Sequence, residues 1–186
     1  MNRVFMGITF GRLGYSPENI EHMNSPGYGK KPDKRTVKQL IAAYNQPLPS
    51  LDDITAFEER FVFKLPQDYI RFLSEVNGGK PNKSYLAKFE LGVRHFFALG
   101  CPYPYDAVDK KLEMSDPQDR WVEQKVIAIA ENGGGDRYMM RVHPDKANDI
   151  YFDQHDAYYE DEYFDVEKAQ RIAGSFTELL SLLEEG

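Results

Sequence analysis

The sequence predicts an α+β fold, in which an antiparallel meander packs against N-terminal helices and a closing C-terminal helix. Two observations predict this class. Apolar residues recur with helical spacing before residue 79 and again after residue 175, whereas short β-rich runs separated by glycine, proline and polar residues lie between them. The connections between the later runs are too short for crossover helices, so these strands are expected to be antiparallel.

Residues 1–49 are predicted to form an N-terminal extension with one helix. Residues 1–32 contain scattered Gly, Pro, Asn and Ser and show no sustained period, which predicts an irregular arm or a small flap. Asp33 can cap the following segment, KRTVKQLIAAY, whose apolar residues recur at i, i+3, i+4 and i+7 on one face. The segment NQPLPS then ends this helix.

The domain itself is predicted to span residues 50–186 and to open with two helices. The first covers residues 53–61, and the second begins at Pro66 within the stretch FKLPQDYIRFLSEVNGG. The second helix is expected to end with positive φ angles at Asn77, Gly78 and Gly79. Its apolar face is more typical of core packing than of an active site, and it consists of Tyr69, Phe72, Leu73 and Val76.

The middle of the chain predicts strands, beginning with the run KFELGVRHFFALG and continuing with KVIAIA. Two further runs, DRYMMRV and DIYFDQ, are expected to pair as antiparallel neighbours across HPDKAN, with Asp136 in the turn that precedes them. The chain is expected to close with the helix SFTELLSLLEE, where Ser175 and Glu178 form a capping box.

Charge is distributed unevenly along the chain. Residues 1–50 carry 7 Lys+Arg against 3 Asp+Glu, whereas residues 51–186 carry 16 against 27, within an overall net charge of −7. An acidic body repels phosphate and suits a basic protein partner, so no nucleic acid is expected to bind. No apolar window is long enough for a membrane span and the N-terminus is too rich in glycine for a signal peptide, so the chain is expected to be cytoplasmic.

No catalytic centre, cofactor or metal site is predicted. The run ENGGGDRY lacks the Lys and Ser/Thr of a phosphate-binding loop, and a tight turn between strands explains its glycines. The four histidines form no zinc motif, and Asp153, His155 and Asp156 are more typical of solvated surface than of a metal site. Cys101 is the only cysteine and has no recognisable base nearby in the sequence.

Two stretches carry a resemblance to a known family. The first, FEERFVFKLPQDYIRFLSEVNGG, has Leu-Pro, Tyr, Phe-Leu and Asn-Gly-Gly at fixed offsets, and the second is VIAIAENGGGDRYMMRV with its Gly-Asp turn. Together with the Ser-Phe that opens the last helix, they resemble the SUKH superfamily, also called the Smi/Knr cell-wall-assembly-regulator family. The matching positions, expected to be structural, are Leu65, Pro66, Tyr69, Phe72, Leu73, Asn77, Gly78, Gly79, Gly135 and Asp136.

The resemblance implies a protein-binding domain without a shared catalytic centre. Many bacterial members resemble immunity proteins that neutralise toxins, often nucleases or deaminases, by direct binding, whereas fungal members act as regulators or scaffolds. We therefore predict a non-enzymatic immunity protein, and a regulator or scaffold of the same fold is the alternative.

The stretch DQHDAYYEDEYFD, residues 153–165, is the strongest candidate for a partner-binding surface. Tyrosine rings supply rigid contact area and carboxylates pair with Lys and Arg on a basic partner, although a solvated acidic loop is an equally good interpretation. The identity of the toxin and the oligomeric state stay open. The residues predicted to contact the partner are Asp153, Asp156, Tyr158, Tyr159, Glu160, Asp161 and Glu162.

Overall fold

The structure is a computed structural model that describes residues 2–23, 31–115, 117, 120–157 and 163–186. Within these residues the α+β fold is confirmed. The strands are β1 Arg3–Phe5, β2 Ile8–Gly11, β3 Lys80–Pro81, β4 Tyr85–Leu86, β5 Leu91–Gly92, β6 His95–Phe96, β7 Val126–Glu131, β8 Arg137–Arg141, β9 Ile150–Asp153 and β10 Gln170–Ala173. The α-helices are α1 Pro17–Met23, α2 Lys34–Tyr44, α3 Leu51–Phe61, α4 Gln67–Glu75, α5 Val108–Met114, α6 Trp121–Gln124 and α7 Phe176–Ser181.

Residues 3–11 form a β-hairpin, so of the irregular arm or small flap predicted over residues 1–32, the irregular arm is wrong for this part of the chain. Strands β1 and β2 pair through a two-residue loop in which Met6 and Gly7 have φ angles of 51° and 75°. Positive φ at both loop positions matches the twist of a tight hairpin. The prediction of one helix in residues 1–49 is also wrong, because α1 precedes α2.

The hairpin packs directly on α4. The rings of Phe5 and Phe10 meet the ring of Phe72 edge-on, with centroids 5.6 and 5.3 Å away. A guanidinium nitrogen of Arg3 also donates a hydrogen bond to the carbonyl oxygen of Val76, immediately after α4 ends. The extension therefore contributes side chains to the same core as the predicted domain.

The helix starts largely follow the capping residues in the sequence. Helix α2 is confirmed with Asp33 as its N-cap, whereas α3 begins two residues earlier than predicted, because Ser50 and Asp53 form a reciprocal capping box. Pro66 lies at the N-cap of α4 instead of inside its first turn. At α7, Ser175 accepts from the Glu178 amide as predicted, but the Glu178 carboxylate reaches the amide of Gly174 instead of closing the box.

Five strands form an antiparallel meander in the order β10-β9-β8-β7-β6. Strands β8 and β9 pair with Tyr138 opposite Phe152, which confirms the predicted pairing across HPDKAN. The run KFELGVRHFFALG supplies only the two-residue strands β5 and β6, with a short 3-10 turn before them.

The Asn-Gly-Gly segment after α4 joins two sheets. Gly79 and Phe96 exchange both backbone hydrogen bonds, at 3.0 and 2.9 Å, which connects the sheet of β1, β2 and β3 to the meander at β6. The segment therefore lies where helix, hairpin and meander meet.

The meander is covered on both faces. On one face Phe96 meets Phe72 of α4 and Phe176 of α7. On the other face α5 and α6 pack over polar side chains of the strands, with Lys111 beside Glu131 and Arg137 over the ring of Trp121. None of the helices in the described ranges has both the length and the apolar character needed to cross a membrane.

Candidate protein-binding surfaces

The face of α4 that carries the Leu-Pro, Tyr and Phe-Leu positions is buried. Tyr69, Phe72, Leu73 and Val76 are fully enclosed, and Leu65 is buried beside them. Burial also raises the pKa of the Tyr69 hydroxyl well above its ordinary value, so it stays protonated. These residues form the core, as their helical spacing predicted.

Asn77 and the two glycines connect the core to the loop that follows β6. The buried Asn77 side chain accepts from the Leu99 amide at 2.8 Å and donates to the Leu99 carbonyl at 3.2 Å. A Cβ atom on Gly79, whose φ is +129°, would lie 2.5 Å from the carbonyl oxygen of Gly11. The Asn-Gly-Gly segment thus fixes the position of Leu99 and admits no side chain at Gly79.

The Gly-Asp turn between β7 and β8 holds the start of the stretch 153–165, which is called the acidic segment below. Asp136 accepts a hydrogen bond from the His155 amide at 3.2 Å, and His155 Nδ1 lies 2.9 Å from the same carboxylate oxygen. Gly135 passes close to the imidazole, since a Cβ there would lie 3.2 Å from His155 Cε1. Asn132 completes the turn by accepting from the amides of Gly134 and Asp136.

The C-terminal end of the acidic segment is held by Gln124, the last residue of α6. Its amide nitrogen donates to the Phe164 carbonyl and its oxygen accepts from the Val166 amide, both at 2.8 Å. Both Phe164 and Val166 are buried. The acidic segment is therefore fixed to the domain at each side.

Most of the predicted contact residues lie between these two anchors. Tyr158, Tyr159, Glu160, Asp161 and Glu162 are outside the described residues. Asp156 is described, and its side chain is 84% exposed, with Oδ1 located 3.0 Å from His155 Nε2. Asp156 is thus accessible to a partner.

Asp153 is not accessible, and its assignment as a partner contact is corrected. It is the last residue of β9, its side chain is 0% exposed, and its Oδ2 atom lies 2.9 Å from Nε of Arg137. Strand alternation directs Asp153 to the face that α6 covers, where Arg137 also stacks over Trp121. The role of Asp153 is therefore to pair with Arg137 inside the fold.

Replacing Asp153 with alanine is expected to destabilise the protein, whereas Asp156→Ala should not. The first change leaves the largely buried Arg137 without this carboxylate, at a cost of about 1–3 kcal/mol. The second removes an exposed group, for which the expected change is about 0.5 kcal/mol or less. Urea unfolding followed by circular dichroism measures both, and equal midpoints would contradict the assigned burial of Asp153.

The structure also contains a groove that the sequence interpretation missed. It has a volume of about 480 Å³ and lies between the end of α2, the 45–49 connection, α3 and the loop after β6. Gln46 donates to the Leu99 carbonyl at 2.7 Å, so Gln46 and Asn77 hold this loop from two sides. The lining residues are Ala42, Asn45, Gln46, Pro47, Leu48, Pro49, Asp53, Ala56, Phe57, Arg60, Leu99, Gly100, Pro102 and Asp109.

The sequence signal for the groove was the segment NQPLPS, interpreted only as a helix break. Two prolines on either side of Leu48 stiffen this connection, and Leu48 remains 39% exposed. A proline-flanked, exposed leucine indicates a rigid surface feature, but the floor of the groove includes Leu99, about fifty positions away in the chain. Local sequence patterns therefore do not predict the groove.

A model of the SMI1 / KNR4 family (SUKH-1) matches residues 48–182. The chain belongs to the SMI1/KNR4 (SUKH-1) family. A comparison with curated proteins finds no match.

The SUKH-1 match includes the residues that hold both ends of the acidic segment, and it includes the groove lining from Leu48 onwards. It begins at Leu48, so the hairpin, α1 and α2 lie before it, although the hairpin contributes side chains to the core and the end of α2 contributes to the groove. In this SUKH-1 chain, the two stretches that carry the family resemblance consist largely of core and turn residues.

Cys101 is buried, which raises the pKa of its thiol to about 12 and keeps it protonated at neutral pH. Among the residues that the structure describes, no group of three or more His, Cys, Asp or Glu side chains is arranged to hold a metal ion.

Proposed function

We propose that this SUKH-1 protein is a cytoplasmic, non-catalytic binding domain that neutralises a cognate bacterial toxin by direct contact. The observation that carries the proposal is the family match over residues 48–182. The burial of the matched α4 residues agrees with it, because they form a scaffold and leave recognition to the surface. Fold alone does not determine function, so the choice of a toxin as partner depends on family analogy.

Charge supports a basic partner. Residues 51–186 carry 16 Lys+Arg against 27 Asp+Glu. A nuclease keeps a basic cleft for its phosphate substrate, and an acidic surface can occupy or flank that cleft. Complementary charge also accelerates the encounter of the two proteins.

A growth assay tests the proposal. The protein encoded next to this gene is expressed in a bacterial host, alone or with this chain. We expect the neighbour to arrest growth and this chain to restore it. A neighbour that is harmless, or a toxic neighbour that this chain does not neutralise, would favour the alternative of a regulatory or scaffold protein.

The acidic segment is expected to act mainly on the association rate. Changing Glu160, Asp161 and Glu162 to lysine should slow association by about tenfold and reduce its dependence on salt, because rim charges act through long-range steering. Alanine at Tyr158 or Tyr159 should instead accelerate dissociation and cost about 2 kcal/mol or more if that ring is a central anchor.

Surface plasmon resonance at two salt concentrations separates these effects. A matched control reverses the same number of charges at Glu90, Glu184 and Glu185, which are exposed around the β4–β5 hairpin. The control should leave the rates close to those of the parent. Unchanged rates in the acidic-segment variants would remove residues 153–165 from the partner surface.

A further inference from the structure

We propose that the groove between α2, α3 and the loop after β6 binds an extended segment of a partner protein that places an apolar side chain beside a lysine or arginine. The inference goes beyond the acidic segment and names a second recognition site. It depends on the proposed function only in taking the occupant to be a protein.

The groove is preformed. Its volume of about 480 Å³ lies within the range of about 300–1,000 Å³ that is typical of ligand pockets. Pro47 and Pro49 stiffen one wall, and α3 forms the other with its capped N-terminus at Ser50. Leu99 in the floor is held by the side chains of Gln46 and Asn77. A partner segment would therefore bind with little cost for ordering the groove.

The lining is suited to an apolar side chain. Phe57, Leu99 and Pro102 contribute apolar surface at the base, and Leu48 remains partly exposed at the wall. Ala56, on the exposed side of α3, leaves space above Phe57 because its side chain is a single methyl group. A leucine-sized or aromatic side chain that enters this space would bury apolar area on both partners, at about 25 cal/mol per Å².

The charges around the groove favour a cation next to that apolar side chain. Arg60 is already paired with Glu113 at 2.6 Å, so its charge is compensated within the protein. The other two charged residues in the lining are Asp53 and Asp109, and neither forms a salt bridge within the described part of the chain.

Both carboxylates retain part of their capacity to accept hydrogen bonds. Oδ2 of Asp53 accepts from the hydroxyl and amide of Ser50, which lowers the pKa of this carboxyl group below its ordinary value. Oδ1 of Asp109 accepts from the Gly100 amide at 3.1 Å. A carboxylate offers about four lone-pair sites, so each can also accept from a lysine or arginine. An anionic ligand would face two carboxylates and is disfavoured.

The test is a selection of random peptides displayed on phage against the intact protein, followed by affinity measurement with the synthetic peptides that are enriched. Ala56→Arg fills the groove and places a positive charge in it. Thr55→Arg adds the same side chain one position away on α3, outside the groove lining, and is the matched control. Because both positions are exposed in a helix and arginine is a good helix former, both variants should fold.

We expect the enriched peptides to contain an apolar residue beside Lys or Arg. They should bind the parent and Thr55→Arg equally and bind Ala56→Arg at least tenfold more weakly. Leu48→Lys, in the loop wall, should also weaken binding, and it serves as the groove variant if Ala56→Arg proves unfolded by circular dichroism. Equal binding to the groove variants, enriched peptides without basic residues, or no enrichment would overturn the proposal.

Self-association is a separate outcome of this test. Analytical ultracentrifugation of the parent, Ala56→Arg and Thr55→Arg shows whether a second copy of the chain occupies the groove. A dimer that only the groove variant loses would assign the site to self-association and overturn the proposal of a partner segment.

The groove proposal and the proposed immunity function can fail separately. The peptide measurement requires no toxin, so its failure leaves the proposed immunity function standing. Failure of the growth assay, in turn, leaves the groove proposal standing.

Discussion

Replacing Phe72 with alanine is expected to lower the free energy of unfolding by about 3–5 kcal/mol, as for other truncations of buried aromatic residues. The Phe72 side chain is fully buried. Its ring contacts rings from the hairpin, α4, the meander and α7, which are those of Phe5, Phe10, Tyr69, Phe96 and Phe176. The truncation therefore leaves a cavity where four parts of the fold meet.

Urea unfolding of Phe72→Ala, followed by circular dichroism, measures the loss. Phe89→Ala is the control, since Phe89 is only partly buried at the edge of the core and its removal should cost clearly less. A Phe72→Ala protein that unfolds like the parent but no longer binds its partner would show that this stretch is a binding site and not a scaffold.

Alanine at Gly79 is expected to cost about 2–6 kcal/mol, because a positive-φ strain of about 1–3 kcal/mol combines with a steric shift of similar size. The added Cβ would lie 2.5 Å from the Gly11 carbonyl oxygen, and backbone atoms cannot yield as the end of a side chain can. The backbone at Gly79 and that at Gly11 in β2 would have to move apart.

Gly133→Ala is the matched control for Gly79→Ala. Gly133 lies in the β7–β8 turn, and a Cβ there would meet nothing within 4 Å. We expect the unfolding midpoint of Gly133→Ala to stay close to that of the parent, whereas that of Gly79→Ala falls strongly. Similar midpoints for the two variants would contradict the close approach of Gly79 to the hairpin.

The parts of the fold that were predicted correctly are those specified by local patterns. Helix α2 follows from a capping aspartate and an apolar face, and the pairing of β8 with β9 follows from two short runs around a polar connection. The hairpin was missed because strands of three and four residues are too short to show a period. Its stability comes from contacts with Phe72, which lies more than sixty residues later.

The candidate surfaces show the same division between local and long-range information. The concentration of carboxylates and tyrosines was evident from the sequence, but the burial of Asp153 depends on its register opposite Arg137 and on cover from α6. Composition cannot distinguish a carboxylate at the end of a covered strand from one in a loop. The groove requires α2, α3 and the loop after β6 to meet, which only the tertiary fold determines.

Calorimetric titration of the purified chain with the protein encoded by the adjacent gene tests the central claim most directly. We predict a one-to-one complex with a dissociation constant below micromolar that weakens as salt is raised, because an acidic surface meets a basic one. The absence of binding heat and of co-elution at concentrations well above micromolar, with both proteins folded, would contradict the account of this SUKH-1 chain as an immunity protein.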